Sequence, residues 1–246
     1  MGIIDSGLGG ISILKTIIDK YANANVVCIA DQLNAPYGNR SEEEIIDLTL
    51  KNINWLKDQN VSEVLIACNT STAVALQASR EAFFDLKIEG IIDVTARQLA
   101  EPKPARILVV ATKATVKSEV YLRIFEKYCP SSTVIQKPLS ELVDMLEGET
   151  AESLIKDYLF ENLSGYQDRV DAVVLGCTHY YLVEEEIKKI VGCPVYDSNT
   201  AIAKEDYGFE DEHGEIKIYT TKDAIELKRQ IKLLYDLDYP VELAKL

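Results

Sequence analysis

The chain has 246 residues, of which 47% are hydrophobic and 27% charged, a composition typical of a globular protein with one large or two small domains. Acidic residues outnumber basic ones by 40 to 26, and the net charge of −14 argues against nucleic acid or an anionic membrane as a partner. No apolar run approaches the roughly 18 to 20 residues of a membrane helix and no secretion signal opens the chain, so we expect a cytoplasmic protein.

The cysteine and histidine content argues against disulfides and against a bound metal. The five cysteines are odd in number, widely spaced and without a Cys-x-x-Cys pair, so we expect reduced thiols. Of the two histidines, one lies close to a cysteine in sequence, which is too little for a zinc site. The residues concerned are Cys28, Cys68, Cys129, Cys177, Cys193 and His179.

Short runs rich in β-branched residues recur along the chain and predict strands. Between most of them, apolar residues recur at intervals of three and four, as at Ile11, Leu14 and Ile18, which predicts helices. This alternation predicts an α/β fold with parallel sheets, in which reactive side chains gather at the carboxyl ends of the strands. The predicted strands are residues 2–4, 26–30, 64–67, 88–92, 107–111, 133–136, 172–176 and 194–196.

A proline-containing segment predicts a change of domain. Residues 101–104 hold two prolines, which forbid a continuing helix, and we place the change near residue 95. A polar stretch at residues 206–214 can return the chain to the first domain, and residues 222–234 are predicted to form a helix after it. We therefore expect a first domain of residues 1–95 plus 206–246 and a second domain of residues 96–205.

A weak internal repeat places two cysteines in the same local context. Residues 61–70 and 170–179 share an acid, an apolar strand, a small residue, a cysteine and then polar residues that favour a helix start. The cysteines are Cys68 and Cys177, and helices are predicted at residues 72–84 and 182–191. A thiol at a helix N-terminus is favoured as a thiolate, so two similar domains would present two reactive thiols to one cleft.

The first turn and one histidine are further candidates for function. Asp5 and Ser6 stand at a strand end and precede Gly7, Gly9 and Gly10, which permit a close backbone approach. The spacing is not that of a dinucleotide fingerprint, and the acid favours contact with an amine over a phosphate. His179 suits either a packing role or a functional one. The remaining cysteines, Cys28, Cys129 and Cys193, are interpreted as small core side chains.

Four motifs together resemble glutamate racemases, in the order of that family and over about residues 1–200. They read Asp-Ser-Gly-Leu-Gly-Gly at 5–10, Pro-Tyr-Gly at 36–38 with Arg-Ser-Glu-Glu-Glu at 40–44, Ala-Cys-Asn-Thr at 67–70, and Leu-Gly-Cys-Thr-His-Tyr at 175–180. The resemblance implies two flavodoxin-like α/β domains related by a pseudo-dyad, with the active site in the cleft between them. It also implies a cofactor-independent isomerase that interconverts L- and D-glutamate and supplies D-glutamate for peptidoglycan.

The resemblance also implies roles for individual residues. Cys68 and Cys177 would exchange the α-proton from opposite faces, assisted by Asp5 and His179 respectively. No metal and no cofactor would take part, the ligand would be a small amino acid, and a homodimer is compatible with the sequence. The implied substrate-binding residues are Asp5, Ser6, Tyr37, Gly38, Asn69, Thr70, Thr112, Thr115, Thr178 and His179.

The chain departs from the family pattern at three places. Residues 111–115 stand where the family has an Ala-Thr-Pro-Gly-Thr-like turn, and Tyr181 stands where a proline is usual. Residues 141–144 match only loosely a family segment that contains a glutamate of the active site. The position of that glutamate in this chain is therefore not assigned. The alternatives are an aspartate or broad-specificity racemase and a non-catalytic amino-acid-binding protein. A thiol-redox protein is disfavoured because the cysteines do not form a Cys-x-x-Cys pair.

Overall fold

Strands and helices alternate along the chain in the computed structural model, which describes residues 1–148, 150–209 and 214–246. The strands are β1 (Gly2–Asp5), β2 (Val26–Ala30), β3 (Glu63–Ile66), β4 (Lys87–Gly90), β5 (Arg106–Ala111), β6 (Thr133–Pro138), β7 (Ala172–Gly176), β8 (Val195–Tyr196), β9 (Ile216–Thr220) and β10 (Val241–Leu243). The α-helices are α1 (Gly9–Lys20), α2 (Glu42–Asp58), α3 (Asn69–Ala82), α4 (Ile91–Arg97), α5 (Lys113–Lys117), α6 (Val120–Tyr128), α7 (Leu142–Glu147), α8 (Glu152–Leu163), α9 (Glu184–Val191), α10 (Ser198–Lys204) and α11 (Ala224–Tyr235).

The strands form two parallel sheets. The first has six strands in the order β10-β9-β2-β1-β3-β4, and the second has four in the order β6-β5-β7-β8. Every strand pair is parallel, with Ile3 of β1 opposite Cys28 of β2 and Leu65 of β3. The predicted α/β class with parallel sheets is confirmed.

The central strands are buried on both faces, which explains their continuous apolar sequences. All residues of β1, β2 and β7 are buried, as expected for parallel strands covered by helices on each side. One apolar cluster includes Ile3 and Leu65 of the first sheet and Val109 and Val174 of the second. The two sheets therefore share a continuous apolar core.

The chain passes between the two sheets twice. Residues 98–105 lead from α4 to β5, and the chain returns after α10 so that β9 pairs with β2 of the first sheet. The change of domain expected near residue 95 falls within α4. Residues 210–213 of the predicted returning stretch lie outside the described residues, and the division into two domains stays a prediction.

Several predicted elements differ from those observed. Ile91 and Ile92 are not the end of a strand but the buried start of α4, because a helix buried on most sides has the same apolar, β-branched composition as a strand. The helix expected at 72–84 begins three residues earlier, at Asn69. The helix expected at 222–234 is α11, which begins after Asp223 caps it. β9 and β10 were not predicted, and both are short strands in which exposed and half-buried residues predominate.

Candidate active site

The first cysteine loop follows β3 and opens α3. Cys68 is itself the N-cap residue, since its Sγ accepts the backbone N–H of Ser71 at 3.4 Å. Ser6, directly after β1, places its Oγ 3.5 Å from the same sulfur. Burial raises the pKa of the Cys68 thiol, nearby Asp5 raises it further, and the hydrogen bonds from Ser6 and Ser71 oppose both. The thiol is 5% exposed and sits at the predicted helix N-terminus.

The second cysteine loop follows β7, but its local structure differs from the prediction. Residues Thr178–Val183 form a 3-10 helix, and α9 begins only at Glu184. Cys177 therefore does not cap an α-helix, and its Sγ lies 3.8 Å from Nδ1 of His179 instead. The sequence pattern placed a helix at 182–191 but could not reveal the 3-10 turn that separates the cysteine from it.

A partly buried ion pair lies beside the second cysteine. Nε2 of His179 lies 2.7 Å from Oε1 of Glu147, at the end of α7. Burial alone would lower the pKa of His179, but hydrogen bonds to Cys177 and Glu147 raise it well above its ordinary value. Burial opposes ionisation of Glu147, yet His179 holds the pKa of that carboxyl below its usual range. The imidazolium is therefore the favoured form, and it faces the sulfur of Cys177.

Glu147 is a residue that the sequence reasoning missed. The family resemblance called for an additional glutamate, and the loose match at 141–144 was too short to locate it. The glutamate that contacts His179 lies three residues farther on, at the end of α7. This residue, Glu147, also accepts the backbone N–H of Leu8 at 3.4 Å. Only the tertiary structure brings this carboxylate to His179.

The turn after β1 contacts the second cysteine loop as well as the first. The Asp5 carboxylate accepts the backbone N–H of Gly7 at 2.8 Å and the hydroxyl of Thr178 at 3.2 Å. Burial raises the pKa of Asp5 to about 6, against the opposing effect of His179 and the two hydrogen bonds. Gly9 permits this approach, because a Cβ at that position would collide with the Thr178 side chain.

Three threonine hydroxyls form a buried cluster between the two halves of the chain. Oγ1 of Thr70, on α3, lies 2.9 Å from Oγ1 of Thr112 and 3.4 Å from that of Thr115, at the start of α5. Thr112 also caps α5 by accepting the N–H of Thr115. Gly38 packs against this cluster, since a Cβ there would lie 2.8 Å from Cβ of Thr112. The structure brings these four predicted residues together.

Tyr37 and Asn69 have their polar groups engaged by residues that were not predicted. The Tyr37 hydroxyl donates to the carboxylate of Asp31. Oδ1 of Asn69 accepts the hydroxyl of Tyr121 at 2.7 Å, while its Nδ2 is buried without a partner among the described residues. Neither partner could be identified from sequence, because each hydrogen bond depends on the tertiary structure.

The three remaining cysteines pack in the apolar clusters of the two sheets. Cys28 and Cys129 are buried in the apolar cluster that joins the sheets, and Cys193 packs half-buried against the core of the second sheet.

Within the described part of the chain, no three histidine, cysteine, aspartate or glutamate side chains are grouped closely enough to hold a metal ion. Likewise, no helix in the described ranges is both long and apolar enough to span a bilayer.

Comparison with known proteins identifies the family of the chain. Residues 12–205 match the Asp/Glu/Hydantoin racemase family. Glutamate racemase from Aquifex pyrophilus is 35% identical over 257 aligned positions, which cover 100% of this chain and 97% of that protein. Glutamate racemase from Francisella tularensis, solved in complex with D-glutamate, superposes with a TM-score of 0.90 at 25% identity over 100% of this chain and 96% of that one. Aspartate racemase from Picrophilus torridus shares the fold alone, with a TM-score of 0.57 at 20% identity over 82% of this chain and 90% of that one. The chain therefore belongs to the Asp/Glu/Hydantoin racemase family and, within it, to the glutamate racemases.

Proposed function

We propose that the protein interconverts L- and D-glutamate without a cofactor, using Cys68 and Cys177 to exchange the α-proton. The observation that carries this proposal is the turn after β1, which contacts both cysteine loops. Ser6 lies 3.5 Å from the sulfur of Cys68, and Asp5 accepts a hydrogen bond from Thr178, next to Cys177. We place the substrate beside this turn, with one thiol on each side of its α-carbon.

Racemisation needs a base on one face of the α-carbon and an acid on the other. One cysteine enters as a thiolate and takes the α-proton, while the other enters as a thiol and delivers its proton to the opposite face. We assign deprotonation of D-glutamate to Cys68 and of L-glutamate to Cys177, in line with the resemblance to the family. The two sulfurs exchange protonation states in each turnover, so each direction of the reaction prepares the enzyme for the other.

Donors beside the thiols hold the α-carboxylate, because that group is attached to the carbon that reacts. Asn69 Nδ2 is a buried donor that has no partner among the residues that the structure describes, and it stands at the N-terminus of the 14-residue helix α3. The free N–H groups of a helix N-terminus favour an anion. The threonine hydroxyls of Thr70, Thr112 and Thr115 supply further donors once they turn from one another toward a bound carboxylate.

Asp5 and His179 tune the two thiols and contact the substrate. The ammonium group of an amino acid beside Asp5 would favour the ionised carboxylate, whose pKa of about 6 in the free protein is raised by burial. We assign Asp5 to this ammonium group and to Cys68. His179, held as an imidazolium by Glu147, stabilises negative charge on the sulfur of Cys177.

The site must also stabilise a carbanion-like state, because the two proton transfers alone are insufficient. Each general acid or base typically contributes about 10² to 10⁴-fold, which does not account for removal of a proton as weakly acidic as that on an amino-acid α-carbon. The two thiols are 5% and 8% exposed, so water is largely excluded around them. In that environment, oriented N–H and O–H dipoles stabilise the negative charge of the carbanion-like state more strongly than they would in water.

The product links the protein to the cell wall. D-Glutamate is a component of peptidoglycan, and we place its supply by this protein in the cytoplasm. We propose a homodimer as one arrangement compatible with the chain, to be distinguished from a monomer by sedimentation velocity at several protein concentrations.

The direct test is incubation of the purified protein with L- or D-glutamate, followed by chiral chromatography. Interconversion should persist after dialysis against a chelator, without pyridoxal phosphate, metal or nucleotide. Loss of activity that only one of these additions restores would refute the cofactor-independent mechanism. Parallel incubations with L- and D-aspartate test the substrate, because faster conversion of aspartate would favour the alternative specificity.

A further inference from the structure

Tyr121 contacts the residue next to each of the two cysteines. Its hydroxyl donates to Oδ1 of Asn69, which follows Cys68. On the other side, its ring packs against Gly176, which precedes Cys177, since a Cβ on that glycine would lie 3.0 Å from Cε2 of Tyr121. Tyr121 is fully buried on α6, so this single side chain spans both cysteine loops.

The hydroxyl of Tyr121 fixes the orientation of the Asn69 amide. Burial raises the pKa of Tyr121, and the nearby Cys177 raises it further, so the hydroxyl keeps its proton. A tyrosine hydroxyl can also accept a hydrogen bond, but its one proton needs an acceptor, and among the described residues Asn69 Oδ1 accepts it. If the amide were turned round, this buried proton would lose its acceptor. The amide is thereby held with Oδ1 toward Tyr121 and Nδ2 turned away from it.

In this orientation, the Asn69 Nδ2 atom is a buried donor that lacks an acceptor in the described part of the chain. Asn69 is 2% exposed, and its Nδ2 has no hydrogen-bond partner within the described ranges. An unpaired buried donor is costly, and it is tolerated where a ligand supplies the acceptor. The position beside Cys68 makes a substrate carboxylate the fitting acceptor.

We infer that Tyr121 is a positioning residue that keeps the Asn69 amide in the orientation that donates to the substrate carboxylate. The inference rests on the proposed function, because the carboxylate belongs to the substrate of that reaction. Without the hydroxyl, the amide can turn by 180° and present Oδ1 to the carboxylate. Oxygen facing a carboxylate oxygen is repulsive, so binding weakens although every substrate-contacting residue is still present.

The test is a double-mutant cycle between Tyr121→Phe and Asn69→Ala. The phenylalanine keeps the ring that packs on Gly176 and removes only the hydroxyl. We expect Tyr121→Phe to raise KM for both glutamate enantiomers about tenfold with kcat changed less than about threefold, because the lost interaction is made in substrate binding. In the Asn69→Ala background, the same change should alter KM by less than about twofold.

A matched control lies on the same helix. The Tyr128 hydroxyl also bonds across to the first half of the chain, at 3.0 Å from Asp93 of α4, but away from the cysteines. Tyr128→Phe should leave KM unchanged. The inference would be overturned by any of three results. The first is an increase in KM in the double variant that equals the product of the increases in the two single variants. The others are an unchanged KM in Tyr121→Phe and an equal effect of Tyr128→Phe.

A second measurement needs only the wild-type protein. The side-chain amide of Asn69, observed by NMR in ¹⁵N-labelled protein, should shift when D-glutamate saturates the site. An unresponsive Asn69 amide in a protein that racemises glutamate would refute the inference and leave the proposed function intact. Absence of racemisation in the wild type would instead refute the proposed function.

Discussion

The two cysteine loops occupy the same place in their sheets but support their thiols by different means. Cys68 caps the α-helix α3 and lies near the carboxyl group of Asp5, whereas Cys177 precedes a 3-10 helix and faces the His179–Glu147 ion pair. The sulfur of Cys68 is supported by the backbone N–H of Ser71, and that of Cys177 by a cationic side chain. The same topological position can therefore present two thiols whose surroundings differ in charge.

This difference predicts that the two directions of the reaction are sensitive to substitution of different residues. Substitutions around Cys68 should impair proton removal from D-glutamate, and substitutions around Cys177 should impair removal from L-glutamate. Net racemisation hides this asymmetry because both thiols take part in every turnover. An analogue with a β-leaving group separates the two, since one base is enough to remove the α-proton and cause elimination.

The largest effect is expected from replacing either thiol. Cys68→Ser and Cys177→Ser should each reduce racemisation by about 10³-fold or more, because a serine hydroxyl is too weak an acid to replace a thiol. With the β-leaving-group analogue, Cys68→Ser should still eliminate from the L-form and Cys177→Ser from the D-form. Cys193→Ser, which changes a half-buried cysteine of the second core, serves as the control and should retain full activity. The same enantiomer preference in both variants would remove the opposite-face assignment.

His179→Asn tests whether His179 supports Cys177 alone. We expect kcat to fall about 10²-fold, because the cation that faces Cys177 is lost. Elimination from the L-form of the analogue should fall by a similar factor, while elimination from the D-form changes little. Chiral analysis of the remaining analogue measures both rates in one experiment. An equal loss for the two enantiomers would mean that His179 supports the whole site and not one thiol.

Asp5→Asn should lower kcat about 10²-fold and at the same time stabilise the fold. The pKa of Asp5 is raised from 3.8 to about 6, so the folded state binds more protons than the unfolded state between these values. The free energy of unfolding of the wild type therefore falls as pH rises from about 4 to 6, by about 3 kcal/mol from this group. Asparagine removes this dependence. Urea unfolding at pH 4, 5, 6 and 7 should therefore show a steeper loss of unfolding free energy in the wild type than in the variant, and the difference between the two proteins measures the contribution of Asp5.

Glu147→Gln should have the smallest effect, about tenfold on kcat at pH 8. Glutamine keeps an oxygen that accepts from His179 but loses the negative charge that raises the pKa of the imidazole. The folded-state pKa of His179 should therefore fall, and activity should decline at a lower pH than in the wild type. Rate profiles from pH 6 to 10 measure this shift. Coincident alkaline limbs in the two proteins would exclude an electrostatic role of Glu147.

The parts of the fold and site that could be predicted are those encoded locally. Apolar strand runs that end in Asp5, Cys68 and Cys177 revealed the sheets and the edge at which these residues lie, because a parallel strand delivers its next residue to the carboxyl edge. The short turn at Asp5 needed its glycines for close packing, and the sequence shows them directly.

The parts that escaped prediction depend on contacts between distant segments. Glu147 meets His179, and Tyr121 meets Asn69, only after helices from different parts of the chain have packed together. The strand assignment at Ile91 was wrong because tertiary burial produces apolar helices as well as apolar strands. The 3-10 turn after Cys177 was missed because helix-start signals do not distinguish it from an α-helix.

The position of β9 in the first sheet sets the order in which the two sheets can be completed during synthesis. β1 to β4 leave the ribosome first, but the β2 edge of their sheet is paired only when residues Ile216–Thr220 emerge. The strands of the second sheet end at Tyr196 and need no later residue. The half that is made first is therefore finished last. A nascent chain that stalls before residue 216 exposes the β2 edge as a template for pairing with other chains.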